Sequence, residues 1–288
     1  MLQSMNKVWE AQVRRLLNPD EVQYTSSPRG MKTYELIGEQ LKIDMEYPVL
    51  TVRARRLGYK FMAAEAHWIM SGDNRVETIA PYSKEIVNYS DDGVTYFGAY
   101  GPKFKEQVDH VVKSLTKDKD SRQAVINIWR ESPPVTKDTP CTLSLQWLIR
   151  NGQLHCIATM RSSDIHKGLP YDVFNFAMLS QYVRLALKEY GGMTIALGSL
   201  TMQLGSSHLY ASTVQNLHEC IMDRFISEVN MAAMTSILDS YDVNTPSKLG
   251  LWLADLKDHE KGVLAMTRIK SHDPLEQWRK RLSVYDAP

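Results

Sequence analysis

The chain has 288 residues, 43% of them hydrophobic, and 34 Lys plus Arg against 33 Asp plus Glu leave a net charge of +1; residues 1–288 are read as one large domain, with 225–288 its least legible part, because single cores rarely outgrow about 250–300 residues. The charge balance excludes a global field suited to wrapping nucleic acid or lying on a membrane, so direct nucleic-acid binding is not expected and any bound anion should be small, held in a local cationic pocket. No stretch approaches the roughly 18–20 apolar residues that cross a bilayer, and Met1–Leu17 carries Lys and Arg without a signal-peptide apolar centre, so the expected location is the cytoplasm.

In chain order, Met1–Leu17 reads as a helix with Val8, Trp9, Val13, Leu16 and Leu17 partly on one face, followed by a loop from Asn18 to Gly30 that contains Pro19 and Pro28. Leu57–Met70 has helical spacing, holds Glu65, and stops at Gly72. Ser71–Gly101 is polar and irregular, with Asp91-Asp92-Gly93 as a turn; irregular chain of this length is more often functional than idle. Phe104–Leu115 is a helix and Gln123–Trp129 a strand. Thr142–Ile149 alternates, placing Leu143, Leu145, Trp147 and Ile149 on one face and Thr142, Ser144 and Gln146 on the other, before Asn151-Gly152 turns the chain into a second strand, Gln153–Met160. Val173–Glu189 carries the stripe Phe176, Leu179, Val183, Ala186 and Leu187 of a buried helix that Gly191-Gly192 ends. Met193–Leu204 is a strand running into Gly205-Ser206-Ser207-His208-Leu209-Tyr210 and a helix to about Met222, and 225–288 mixes helical pieces with a short strand near Val263–Ile269. Alternating helices and strands around a central hairpin indicate a mixed α/β (α+β) fold.

Three cysteines, Cys141, Cys156 and Cys220, make neither a disulfide framework nor a CxxC metal site, and no metal is expected. Cys156 and Cys220 read as buried thiols. Cys141 follows Pro140 at a strand start, where a side chain can face a cleft, and pairing of the two hairpin strands brings Arg161 near it; a nearby cation favours the thiolate that a nucleophile needs. Arg161-Ser162 offers a planar cation and a hydroxyl suited to a phosphate monoester, and Asp120-Ser121-Arg122 is a second candidate anion site. Read singly, these are as easily a structural thiol and loop-bridging arginines. Glu65, flanked by Ala64 and Ala66 near Trp68, fits a carboxylic acid in an apolar cleft, where a raised pKa suits proton relay, although a lone helical Glu is usually solvated. His208 and Tyr210 point the same way on extended chain and can donate to a sugar hydroxyl.

Taken in order, Pro140-Cys141, Met160-Arg161-Ser162-Ser163-Asp164, Gly168-Leu169-Pro170-Tyr171-Asp172 and Gly205-Ser206-Ser207-His208-Leu209-Tyr210 resemble the thymidylate synthase superfamily. Upstream, Glu65 to Asn74 looks like its catalytic-glutamate helix and Asp120-Ser121-Arg122 like its inter-subunit phosphate loop; Ser271-His272-Asp273-Pro274 is a weaker echo. The resemblance implies a mixed sheet flanked by helices and a homodimer with sheets packed back to back, which would account for the polar face of Thr142–Gln146. It implies one-carbon transfer from the cosubstrate 5,10-methylenetetrahydrofolate to C5 of a pyrimidine nucleoside monophosphate. Cys141 would add to C6 and Glu65 manage proton and water steps. Arg161 and Ser162, with the partner subunit's Arg122, would hold the phosphate, His208 and Tyr210 the sugar hydroxyl, and Asp164 and Gly168 the folate.

Two departures narrow the expectation. The synthases have Asn where this chain has Asp172; an ionised carboxylate only accepts hydrogen bonds, which fits the amino group of cytosine and repels the uracil O4. They also enclose the folate with a Trp pair, whereas Ser71–Lys103 holds no Trp and Ile86 and Tyr89 stand at the corresponding spacing. A less enclosed methylene is open to water, leaving a hydroxymethyl group. Both departures resemble the deoxycytidylate hydroxymethylases of bacteriophages, so the expected reaction is hydroxymethylation of dCMP. CMP or dUMP as substrate, a methyl product, and a silent nucleotide- or RNA-binding member of the family are the rival readings. The Arg-Arg pair of the synthases is reduced to Arg122-Gln123, and Val284-Tyr285-Asp286-Ala287-Pro288 lacks their apolar terminus.

Overall fold

A computed structural model describes residues 2–22 and 24–222; everything read above between 225 and 288 lies outside the described residues. In chain order the elements are helix α1 (Met5–Leu17), strands β1 (Tyr24–Ser26) and β2 (Thr33–Asp44), helices α2 (Tyr59–Met70), α3 (Val76–Ile79) and α4 (Tyr100–Lys117), strands β3 (Val125–Asn127), β4 (Thr142–Arg150), β5 (Gln153–Met160) and β6 (Ser163–Asp164), helix α5 (Leu169–Gly191), strand β7 (Ala196–Tyr210) and helix α6 (Val214–Met222). The seven strands form one sheet in the order β1-β2-β7-β5-β4-β3, with β6 beside β7. Only β5 and β6 run parallel to β7, so the sheet is mixed, as expected. No helix among the described residues is long and apolar enough to cross a membrane.

The β4–β5 hairpin forms because its turn residues accept left-handed backbone: Asn151 has φ 52° and Gly152 φ 71°, the pairing that suits the twist of the flanking strands. Leu145, Trp147 and Ile149 face the core opposite Ala158, Cys156 and Leu154. The opposite face carries Ser144, Gln146 and Leu148, all half-buried. Leu143 departs from the expected alternation. A register shift between Thr142 and Ser144 turns Thr142 into the core and leaves Leu143 half-buried, as an extra residue in one strand does. β2, the longest strand after β7, goes unread in the sequence. Its buried positions switch from Leu36 to Leu41 and Ile43, a change of parity across Gly38, which has φ 73°, so no single alternating pattern spans it. β7 changes parity at the same level, burying Leu200, Met202 and Leu204 and then Ser207 and Leu209.

α5 is buried along most of its length, and each fully buried large side chain contributes about 1.5–3 kcal/mol. It starts four residues earlier than the apolar stripe indicates. Pro170 occupies its first turn, where its missing N–H is no loss, so Tyr171 and Asp172 are helical and Asp172 projects from the first turn. The helix ends at Gly192 in the left-handed region. Trp147 on β4 donates to Ser180 Oγ at 3.0 Å, and Trp9 on α1 donates to the carbonyl of Ile165 at 2.7 Å. α2 and α4 both pack on α5, which brings Glu65 beside the first turns of that helix.

Candidate active site

The hairpin delivers Cys141 and Arg161 to one point. Cys141 immediately precedes β4 and Arg161 immediately follows β5, and the Arg161 N–H donates to the Cys141 carbonyl at 2.8 Å. The guanidinium is held by the carbonyls of Pro140 and Thr139, each at 3.0 Å. Its Nη2 lies 3.7 Å and Ser162 Oγ 3.8 Å from Cys141 Sγ. A nucleophile-sized thiol, a planar cation and a hydroxyl thus share one wall. The charge state of the thiol differs from the expectation: burial pushes the Cys141 pKa up, Arg161 pulls it down, and Asp172 and Asp138 raise it again, with a net upward shift. Arg161 is a restraint on that rise and does not by itself make a thiolate. Cys156 and Cys220 are buried, the first with its thiol pushed up to about 12 by burial.

Beside this wall opens a cavity of about 160 Å³ lined by Glu65, Trp68, Ile69, Ile86, Tyr89, Tyr96, Gly98, Ala99, Tyr100, Asp138, Asp172 and Asn175. Asn175 donates its amide to Glu65 Oε2 at 2.8 Å. Burial raises Glu65 to about 7, against that hydrogen bond. Burial and the neighbouring Glu65 raise Asp172 to about 8. The carboxyl that the sequence treats as an ionised acceptor therefore favours its protonated form at neutral pH: desolvation outweighs the helix N-terminus, which favours the anion by only about 0.3–1 kcal/mol. Ile86 and Tyr89, the residues at the Trp-pair spacing, both line the cavity.

His208 and Tyr210 lie on β7 with their rings in an edge contact, centroids 5.5 Å apart. Ser206 Oγ is 3.3 Å from His208 Nδ1. Burial holds the His208 pKa down, although Asp164 and Glu35 pull it up. Asp164 pairs with His208 across the β6–β7 ladder, and its Oδ1 accepts the N–H groups of His166 and Lys167 at 2.9 and 3.0 Å. One carboxylate oxygen is thus committed to shaping the turn that leads to Gly168. A Cβ on Gly168 would lie 3.4 Å from Asp172 Oδ2, so Gly168 borders that carboxyl directly. Arg122 is not brought to Cys141 within one chain. It is exposed just ahead of β3, its carbonyl accepting the Gln146 amide at 2.9 Å.

Four polar lining residues go unread in the sequence. Asn175 stands one turn beyond Asp172 on α5, a spacing that places both on one face. Tyr100 opens α4, stacked on Phe176 with centroids 6.4 Å apart; burial, Asp172 and Cys141 hold its phenol well above the usual range. Tyr96 and Asp138 come from irregular chain and carry no periodic signal. The Asp138 loop is docked closely, since a Cβ on Gly98 would lie 2.3 Å from the Asp138 carbonyl oxygen. Gly98→Ala is therefore expected to push that loop away, costing about 1–3 kcal/mol. Thermal unfolding should show a lowered Tm, and turnover should fall with it.

A family model described as thymidylate synthase matches residues 7–245. The deoxyuridylate hydroxymethyltransferase of Bacillus phage SP01 is 28% identical over 209 residues, an alignment that covers 64% of this chain and 52% of that protein. The chain thus spans about half the length of the curated relative it matches.

Proposed function

Because the chain belongs to the thymidylate synthase family, we propose that it transfers a one-carbon unit from methylenetetrahydrofolate to C5 of a pyrimidine nucleoside monophosphate, and that the product is 5-hydroxymethyl-dCMP. The observation that carries the choice of base is Asp172, a carboxyl that favours its protonated form and faces the cavity from the first turn of α5. Cytosine offers an amino donor and the N3 lone pair. A neutral carboxylic acid matches both, its carbonyl accepting from the amino group and its hydroxyl donating to N3. When Cys141 adds to C6, charge flows toward N3, and the acid can pass its proton there.

In this reading Cys141 makes C5 nucleophilic, the cosubstrate supplies the carbon, and Glu65, held by Asn175, exchanges protons with the substrate. Arg161 and Ser162, with the partner subunit's Arg122, bind the phosphate of the nucleotide. His208 and Tyr210 bind its sugar, and Asp164, Gly168, Ile86 and Tyr89 border the folate. A homodimer built on the half-buried face of the sheet fits the mixture of Ser144, Gln146, Ile157 and Thr159 there.

A second reading, dUMP as substrate, has a specific observation in its favour: the neutral form of Asp172 can also turn its hydroxyl to the uracil O4 and its carbonyl to N3–H, and the phage relative is named for deoxyuridylate. The test is to offer the purified protein dCMP, dUMP and CMP in turn with methylenetetrahydrofolate and to weigh the products. Hydroxymethyl-dCMP as the dominant product is expected. A methyl-bearing product with dihydrofolate would overturn hydroxymethylation, and preferred turnover of dUMP or CMP would overturn the substrate.

A further inference from the structure

Hydroxymethylation needs a water aimed at the one-carbon unit and a group to take its proton; in the reading above Glu65 already exchanges protons with the substrate and Asp172 pairs with the base, which leaves Asp138 as the third carboxyl lining the cavity. We propose that Asp138 is the base that accepts the proton of this water, in the cavity it lines together with Tyr96, Trp68 and Asn175. This role rests on the hydroxymethylase reading and deepens it.

The geometry is specific. Asp138 Oδ2 accepts the Gly98 N–H at 2.7 Å, which leaves Oδ1 uncommitted among the described residues. Its own N–H donates to Thr136 Oγ1 at 3.0 Å. Asp91 grips the same loop, accepting the Lys137 N–H at 3.0 Å and the Thr136 hydroxyl. The carboxyl is therefore fixed on a braced loop three residues before Cys141, and close enough to it to raise the thiol's pKa. In the same cavity, Trp68 Nε1, Tyr96 Oη and Asn175 Oδ1 are buried and have no hydrogen-bond partner among the described residues, with the residues 6, 3 and 2% exposed, and Tyr96 is near enough to Asp138 for the carboxylate to add to burial in raising its phenol. Buried polar atoms are almost always paired, and two donors with one acceptor beside a carboxyl supply the 2–4 partners that an ordered water takes. A cavity of about 160 Å³ has room for it beside a substrate group, water needing roughly 30 Å³. Burial and Asp91 raise Asp138 to about 6, with the Gly98 N–H opposing, which leaves it a carboxylate able to receive a proton at neutral pH.

The step balances. The water oxygen bonds to the exocyclic methylene carbon on C5, its proton passes to Asp138, and the electron pair of the methylene double bond moves into the ring. Expulsion of the Cys141 sulfur from C6 then restores the C5–C6 double bond, and Asp138 returns its proton to solvent.

Asp138→Asn keeps an acceptor for Gly98 and removes the base. Tritium exchange at C5 of dCMP without folate, which precedes water addition, should persist and even quicken, because loss of the Asp138 charge eases the thiol's ionisation, while hydroxymethyl product formation falls about 10²–10³-fold. The denatured protein should carry a nucleotide with its one-carbon unit on Cys141, and added 2-mercaptoethanol should be captured as a thioether of the nucleotide. Unchanged product formation, or equal loss of exchange and product, would overturn the role. If the Asn variant does not fold, Asp138→Glu carries the test: slowed product with intact exchange supports the role, and parallel loss overturns it. A methyl product from wild type overturns this role and the hydroxymethylase reading together, whereas normal hydroxymethylation in Asp138→Asn overturns the role alone.

Discussion

Asp172→Asn should lower kcat/KM for dCMP by at least about 100-fold while changing that for dUMP by less than about tenfold, inverting the base preference. The asymmetry comes from acidity more than from hydrogen-bond count. An Asn amide can turn to match the edge of either base, but it cannot deliver a proton to N3 of cytosine as the thiol adds, whereas its N–H can hold the charge that develops on the uracil O4. The wild-type protein should reveal the same logic through pH. With Asp172 at about 8, its carboxyl is protonated below that value and able to pair with either base. As pH rises through about 8 the ionised form repels O4, so dUMP turnover should fall more steeply than dCMP turnover. Competition assays across that range, with products separated by mass, check both statements; a preference for dCMP that survives Asp172→Asn would sink the role given to this carboxyl.

The parts of the fold legible in the sequence are those whose pattern is local. The hairpin from Thr142 to Met160 is written in its alternation and in Asn151-Gly152, and α5 in the stripe from Phe176 to Leu187. β2 escapes because Gly38 reverses which residues face inward halfway along it, and Leu143 because a register shift beside Cys141 does the same. The candidate site divides in the same way. Cys141, Arg161 and Ser162 are neighbours because two adjacent strands end together, which pairing predicts. Asn175 is one helical turn from Asp172 and was within reach of the same argument. Asp138 and Tyr96 sit on irregular chain, and only tertiary docking puts them in the cavity. Charge states are the least legible of all. Burial raises Cys141, Glu65 and Asp172 together, and burial is a property of the packed molecule that residue identity does not carry.

Cys141→Ala should abolish C5 tritium exchange and turnover, by at least about 10³-fold, because the other groups act only after the C6 bond has formed. The variant also separates binding from chemistry. The Arg161 guanidinium is anchored on the carbonyls of Pro140 and Thr139, not on the sulfur, so removing Sγ leaves the anion-binding wall standing. Nucleotide affinity, measured by calorimetry, should therefore stay within about tenfold of wild type, a span of about 1.4 kcal/mol. The upward-shifted thiol adds a condition. If Cys141 is mostly protonated in the free protein, exchange should be limited by forming the thiolate and should accelerate as pH rises toward the thiol's pKa, until Asp172 loses its proton and opposes it. Because Asp172 titrates at about 8, below the raised thiol, exchange with dCMP should rise with pH to about 8, level off while thiolate gained offsets carboxyl lost, and fall above the thiol's pKa. Asp172→Asn should remove the plateau and the fall and leave the rise. Exchange that persists in Cys141→Ala would mean that another group attacks C6, and with it the whole assignment of this wall would fall.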